Sequence, residues 1–161
     1  MPDVGRINSR AIVNLKVAMK DAGAVATRLQ SADTSSLNLG PDTWLLVSDS
    51  RSASDIVADC EQSLDGLLMN AVDYSSGLAI FKVSGPDSRE LLAMGTGLDL
   101  RPTSFATGSC SRTRLAQIAV VVVATGDDEF ELYLDRSFER YFDNWLRDSI
   151  AMIQCLFQVG D

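Results

Sequence analysis

The sequence predicts an α+β fold in which largely antiparallel strands pack with two long helices, 52–69 and 137–157, and one short helix, 86–94. Three observations carry that prediction. Residues 77–100 run an apolar strand, Leu-Ala-Ile-Phe-Lys-Val, through Ser84-Gly85-Pro86 directly into a helical pattern. Two further segments, from Ser52 and from Ser137, repeat apolar residues every three or four positions, the period of a helix with one buried face. Between residues 110 and 135, three strand patterns follow one another across tight turns, which makes an antiparallel meander.

Composition narrows the function classes. At 161 residues, 46% hydrophobic, the chain predicts a single domain over 1–161 that buries a core without disulfides or metal. Its net charge of -8 opposes phosphate, so no nucleic-acid surface is expected. Histidine is absent, which removes the usual general base near neutral pH and the commonest metal ligand. Asp, Glu, Lys or Tyr could replace it only if burial moved their pKa values. Cys60, Cys110 and Cys155 are odd in number and widely spaced, so neither a zinc site nor a disulfide framework is expected, and a reduced, cytoplasmic setting fits. No apolar run reaches the ~18 residues of a membrane span, and the N-terminus lacks the apolar stretch of a signal peptide.

In chain order, residues 1–10 read as polar and loose. Ile12, Val13, Leu15 and Val17 form a short strand, with a second near 24–29 and a polar loop over 31–38. Gly40-Pro41-Asp42 turns into the strand Trp44-Leu45-Leu46-Val47, where Trp44 anchors the core. From Ser52, whose pairing with Asp55 approximates a capping box, Ile56, Val57, Cys60, Leu64, Leu67 and Leu68 share a helix face. Cys60 therefore reads as an inert core thiol. Residues 71–74 form a strand that Ser75-Ser76-Gly77 turns back as a hairpin into the strand 78–83. Gly85 and Pro86 then start the short helix, with Pro86 at its first position and Arg89 and Glu90 facing water.

That corner is not a phosphate cradle. One glycine stands where several are needed, the proline removes a donor, and Asp87 repels an anion. Strand 110–115 has a polar face, which suits an edge. A tight turn at Ala116-Gln117 joins it to 118–124, apolar on both faces and hence central. Phe130, Leu132 and Leu134 alternate in a half-buried third strand. Ser137 then caps a helix whose stripe runs Phe138, Tyr141, Phe142, Trp145, Leu146, Met152, Ile153 and Leu156. An aromatic stripe of this kind reads as core, not as a cofactor box.

Three segments resemble the gamma subunits of heterotetrameric sarcosine oxidase, whose fold family includes the folate-binding domain of aminomethyltransferases. They are Gly40-Pro41-Asp42-Thr43-Trp44-Leu45-Leu46; then Ser84-Gly85-Pro86 through Leu91-Leu92 to Leu98-Asp99-Leu100; then Arg112-Thr113-Arg114-Leu115 with Phe130 to Ser137 and Trp145-Leu146. The resemblance implies a non-catalytic subunit of a complex that oxidatively demethylates sarcosine to glycine and passes the one-carbon unit to tetrahydrofolate. It implies alpha, beta and delta partner subunits, with FAD, FMN, NAD and tetrahydrofolate held by the larger ones and zinc by the smallest. No catalytic, cofactor-binding or metal residue is then expected in this chain. The alternatives are a free-standing small folate-binding or aminomethyl-transfer protein, with Asp99 as the nearest candidate for the carboxylate that holds a pterin, and the equivalent subunit of a related N-methyl amino-acid dehydrogenase.

For a subunit, the candidate partner-facing residues are Arg101, Arg112 and Arg114, positive charges concentrated in an acidic chain. The competing reading pairs them internally with carboxylates such as Asp99 or Glu131.

Overall fold

The computed structural model describes residues 1–29 and 31–158, with side chains as far as Cys155. The strands are β1 (Asp3–Ile7), β2 (Ala11–Val17), β3 (Ser35–Asn38), β4 (Thr43–Ser48), β5 (Met69–Asp73), β6 (Leu78–Ser84), β7 (Cys110–Leu115), β8 (Ile118–Gly126) and β9 (Glu129–Asp135). The helices are α1 (Ala22–Arg28), α2 (Ala53–Ser63), α3 (Ser88–Ala93) and α4 (Glu139–Gln158). All strand pairings are antiparallel, so the α+β prediction holds.

Where length predicts one domain, backbone contacts divide the chain into two compact units, one of residues 1–8 with everything from Leu78 onward, the other Ser9–Gly77. Each has its own sheet and its own apolar cluster. The first unit is a five-stranded sheet ordered β1-β6-β9-β8-β7. Alternate residues Phe81 and Val83, Val120 and Val122, Phe130, Leu132 and Leu134 put one face of it into the core with Leu91 and Leu92 of α3 and Phe142 and Leu146 of α4. Phe142 meets Phe81 edge-on at 5.3 Å and stacks on Trp145 at 5.6 Å. Trp145 is half-buried and lies so close to Gly95 that a Cβ there would come within 2.5 Å of the indole, which is why a glycine stands at that turn. Strand β8 is buried from Val120 to Ala124, as its double-faced apolar run predicts for a central strand. Of the C-terminal stripe, Leu156 lies outside the described side chains.

In the second unit the order is β3-β4-β2-β5. Val13, Leu15 and Val17 of β2, with Trp44 and Leu46 of β4, pack against Val25 of α1 and Ile56, Cys60 and Leu64 at α2. Ser52 caps α2 by accepting from the Asp55 N–H at 3.1 Å, where the capping pattern places the start.

Several expected elements differ. The N-terminus is not loose: β1 pairs with β6 from Asp3↔Ser84 to Ile7↔Ile80, and Arg6 forms an ion pair with Glu139 on α4. Residues 22–28 form a helix instead of a strand, because this alanine-rich segment favours helix and only Val25 need be buried. The polar segment at 35–38 is an edge strand on β4, held by ladder hydrogen bonds its composition does not advertise. Helix α2 stops at Ser63, since Gly66 takes a positive φ of 79° and turns the chain, leaving Leu68 77% exposed.

The segment 75–77 is no hairpin joining β5 to β6: β5 pairs with β2, and β6 pairs with β1 and β9. Ser75 instead bonds back to Ile12 and Asp73. Pro86 is not the first helical residue either. Gly85 and Asp87 both take positive φ, 93° and 69°, so α3 begins at Ser88. Asp135 rather than Ser137 provides the cap before α4, its carboxylate accepting from the Ser137 N–H at 2.8 Å.

Candidate partner-docking site

Strand β7 ends the five-stranded sheet, so its outer backbone edge has no strand beside it among the described residues. Its register sets Arg112 opposite Val121 and Arg114 opposite Ala119, two residues apart and hence on one face of the pleat. Both side chains are exposed. Arg114 donates from Nη2 to the Gln117 carbonyl at 2.9 Å, and among the described residues neither arginine has a carboxylate partner. The strand is held in place by the two-residue turn to β8, with positive φ at Ala116 (52°) and Gln117 (70°), and by Tyr141 of α4, whose hydroxyl donates to the Ala116 carbonyl at 2.9 Å. Two guanidiniums with unused donors beside an open strand edge can grip carboxylates and a backbone ladder together.

Arg101 does not join them. Its Nε donates to Asp99 Oδ1 at 2.9 Å and its Nη2 to Oδ2 at 2.6 Å, which spends its charge within its own loop. Ser104 Oγ adds a bond to Asp99 Oδ2 at 2.7 Å. Hydrogen bonds from Arg101 and Ser104 hold the Asp99 carboxyl well below the usual carboxylate range. Both oxygens of the carboxylate considered for a pterin are thus engaged already. Glu131, the other suggested internal partner, accepts from the Tyr133 hydroxyl at 2.6 Å.

The strand–helix corner offers no cradle to a nucleotide phosphate. A Cβ at Gly85 would lie 3.2 Å from the Met1 carbonyl oxygen, so N-terminal backbone lines the corner, and Asp87 forms an ion pair with the Met1 ammonium at 3.4 Å. Cys60 is fully buried, and that burial pushes its thiol up to about 11, which suits a core residue and not a nucleophile. Burial also raises the Cys110 thiol. Among the described residues no three His, Cys, Asp or Glu side chains are placed to share a metal ion, and no helix is long and apolar enough to cross a membrane.

Sequence reasoning missed Arg89. Instead of facing water, its guanidinium lies 5.1 Å from the centre of the Phe130 ring and donates to the carbonyls of Leu100, Phe105 and Asp127 and to Asp128 Oδ1. It ties α3, the loop after it and the β8–β9 turn together. A lone arginine at a helical position gives no sequence signal of such partners.

The fold is similar to part of an aminomethyltransferase. Aminomethyltransferase T of the glycine cleavage system from Bartonella henselae matches with a TM-score of 0.65 at 16% identity, over 90% of this chain and 45% of that one. The chain belongs to the sarcosine oxidase gamma subunit family, whose model, described as "Sarcosine oxidase, gamma subunit family", matches residues 9–152. Sarcosine oxidase subunit gamma from Corynebacterium sp. (strain P-1) is 26% identical over 132 residues, 82% of this chain and 63% of that protein, so this chain spans about three-fifths of that relative's length. A chain of the heterotetrameric sarcosine oxidase from Corynebacterium sp. U-96, solved in complex with pyrrole 2-carboxylate, matches with a TM-score of 0.82 at 20% identity, over 94% of this chain and 84% of that one.

Proposed function

We propose that this chain is the non-catalytic gamma subunit of a cytoplasmic heterotetrameric sarcosine oxidase, assembling with alpha, beta and delta subunits. Oxidative demethylation of sarcosine to glycine, with transfer of the one-carbon unit to tetrahydrofolate, then belongs to the partners, which hold FAD, FMN, NAD and the folate. The observation that carries this reading is the family match across residues 9–152, which takes in most of both units. The engaged oxygens of Asp99 and the filled corner at Gly85 support a role without a cofactor. Purified alone, the chain should be colourless and should not oxidise sarcosine. Flavin absorbance in stoichiometric amount, or turnover by this chain, contradicts the proposal.

The docking edge in this reading is β7, with Arg112 and Arg114 gripping acidic groups of a large subunit. Arg112→Glu with Arg114→Glu should leave the melting temperature within a degree or two, since surface substitutions cost roughly 0.5 kcal/mol or less and the one bond lost, from Arg114 to the Gln117 carbonyl, is exposed to water. It should abolish pull-down of co-expressed large subunits. Full assembly at an unchanged melting temperature removes β7 as the docking edge.

A further inference from the structure

We infer that the Ser9–Gly77 unit carries a binding site for a small oxyanion, a cavity of about 60 Å³ between α1, α2 and the β3–β4 edge whose charged lining is Arg28, Arg51 and Asp59. The floor is apolar and closed, made by Leu46 of β4 and Ile56 and Cys60 of α2, all buried. The wall is polar: Ser31, Thr34, Ser36 and Ser63 line it, and their hydroxyls are of a kind that can donate to an anion. Two guanidiniums against one carboxylate leave the lining with one net positive charge, in a chain whose total is -8.

The two arginines have different standing. Arg51 is built into the fold, its Nη2 donating to Asp59 Oδ2 at 2.6 Å and its Nη1 reaching Thr34 Oγ1 at 3.5 Å, which fixes the guanidinium at the wall. Its Nη2 also reaches the Asp55 carbonyl at 3.5 Å, a long contact that leaves the guanidinium with further N–H donors for a ligand. Arg28, in the last turn of α1, is exposed and has no ion-pair partner among the described residues. A fixed guanidinium, an exposed one and four hydroxyl-bearing residues around a single apolar floor are a recognition set for one carboxylate or phosphate group. The volume admits the head of a ligand only. The apolar floor offers an acceptor-only group no further polar contact, which favours binding by the oxygens on the wall side.

The test is a titration of the full chain, uniformly 15N-labelled, with inorganic phosphate, with acetate and with chloride, each at equal ionic strength. The expected result is saturable shifts of amide signals at Thr34, Ser36 and Ser63 with phosphate or acetate and none with chloride; whichever of the two saturates at lower concentration identifies the class. Arg28→Glu, a change at an exposed side chain, should keep the amide spectrum of the free protein and weaken that binding by roughly tenfold or more, the scale of one charge-assisted hydrogen bond. Chloride shifting the same signals equally, no saturation with either oxyanion, or Arg28→Glu titrating like the parent each overturns the inference.

Discussion

Arg89 is the residue whose role periodicity misplaces most. Helical spacing assigns it to solvent, yet its side chain is 12% exposed, and it donates four hydrogen bonds, to three carbonyls and a carboxylate, while its guanidinium sits near Phe130. Truncating it would leave those carbonyls without their donor and remove the cation from the ring. Arg89→Met, which keeps the stem's packing, should cost about 2–4 kcal/mol, read as a drop in the midpoint of urea unfolding at unchanged slope. At the thiols, Cys60 is fully buried and Cys155 exposed, so a thiol reagent at pH 8 should modify Cys155 within minutes and Cys60 only after unfolding. The sign of the pH effect follows. The folded pKa of Cys60 lies above its unfolded value near 8.5, so its contribution to stability is full below that value and is lost as pH rises toward about 11. Mass spectrometry after timed labelling, with melts at pH 8 and above 10, checks both.

At the scale of elements, the legible parts of the fold were those with a strong, local period. Strands β8 and β9, the start of α2 and the body of α4 declare themselves because their apolar residues recur at two, three or four and because turns or caps bound them. Strands β1 and β3 were not legible. Each is short and polar, and each exists because a neighbour distant in sequence or across a turn offers a ladder. Helix α1 shows the opposite failure: residues 22–28 have too few apolar positions to separate a period of two from one of 3.6.

The turn between β7 and β8 is legible in place but not in strain. Gln117 sits at a φ of 70°, a region that costs a side-chain-bearing residue roughly 1 kcal/mol and glycine nothing. Gln117→Gly should therefore raise stability by about 0.5–1 kcal/mol, since its carbonyl, which Arg114 uses, is retained. A lower melting temperature would mean the glutamine side chain contributes more than its backbone costs.

For the whole molecule, the division into two units escaped the sequence because the first is discontinuous: its edge strand β1 comes from the N-terminus and joins a partner more than seventy residues on, Asp3 opposite Ser84. The candidate site was half legible. An arginine-bearing edge strand could be read from the alternation of Cys110, Arg112 and Arg114, whereas the closure of Arg101 on Asp99 depends on how a loop folds. The oxyanion cavity was not legible, because Arg28, Thr34 and Arg51 belong to three separate segments. The central claim is that this chain works as a subunit, and one measurement addresses it directly. With an affinity tag on this chain, co-expression with the alpha, beta and delta subunits of a sarcosine oxidase from the same source, followed by size-exclusion chromatography and an assay on the eluted peak, should give one stoichiometric complex that oxidises sarcosine. Elution of this chain by itself, while the other three assemble and turn over sarcosine without it, would contradict the account.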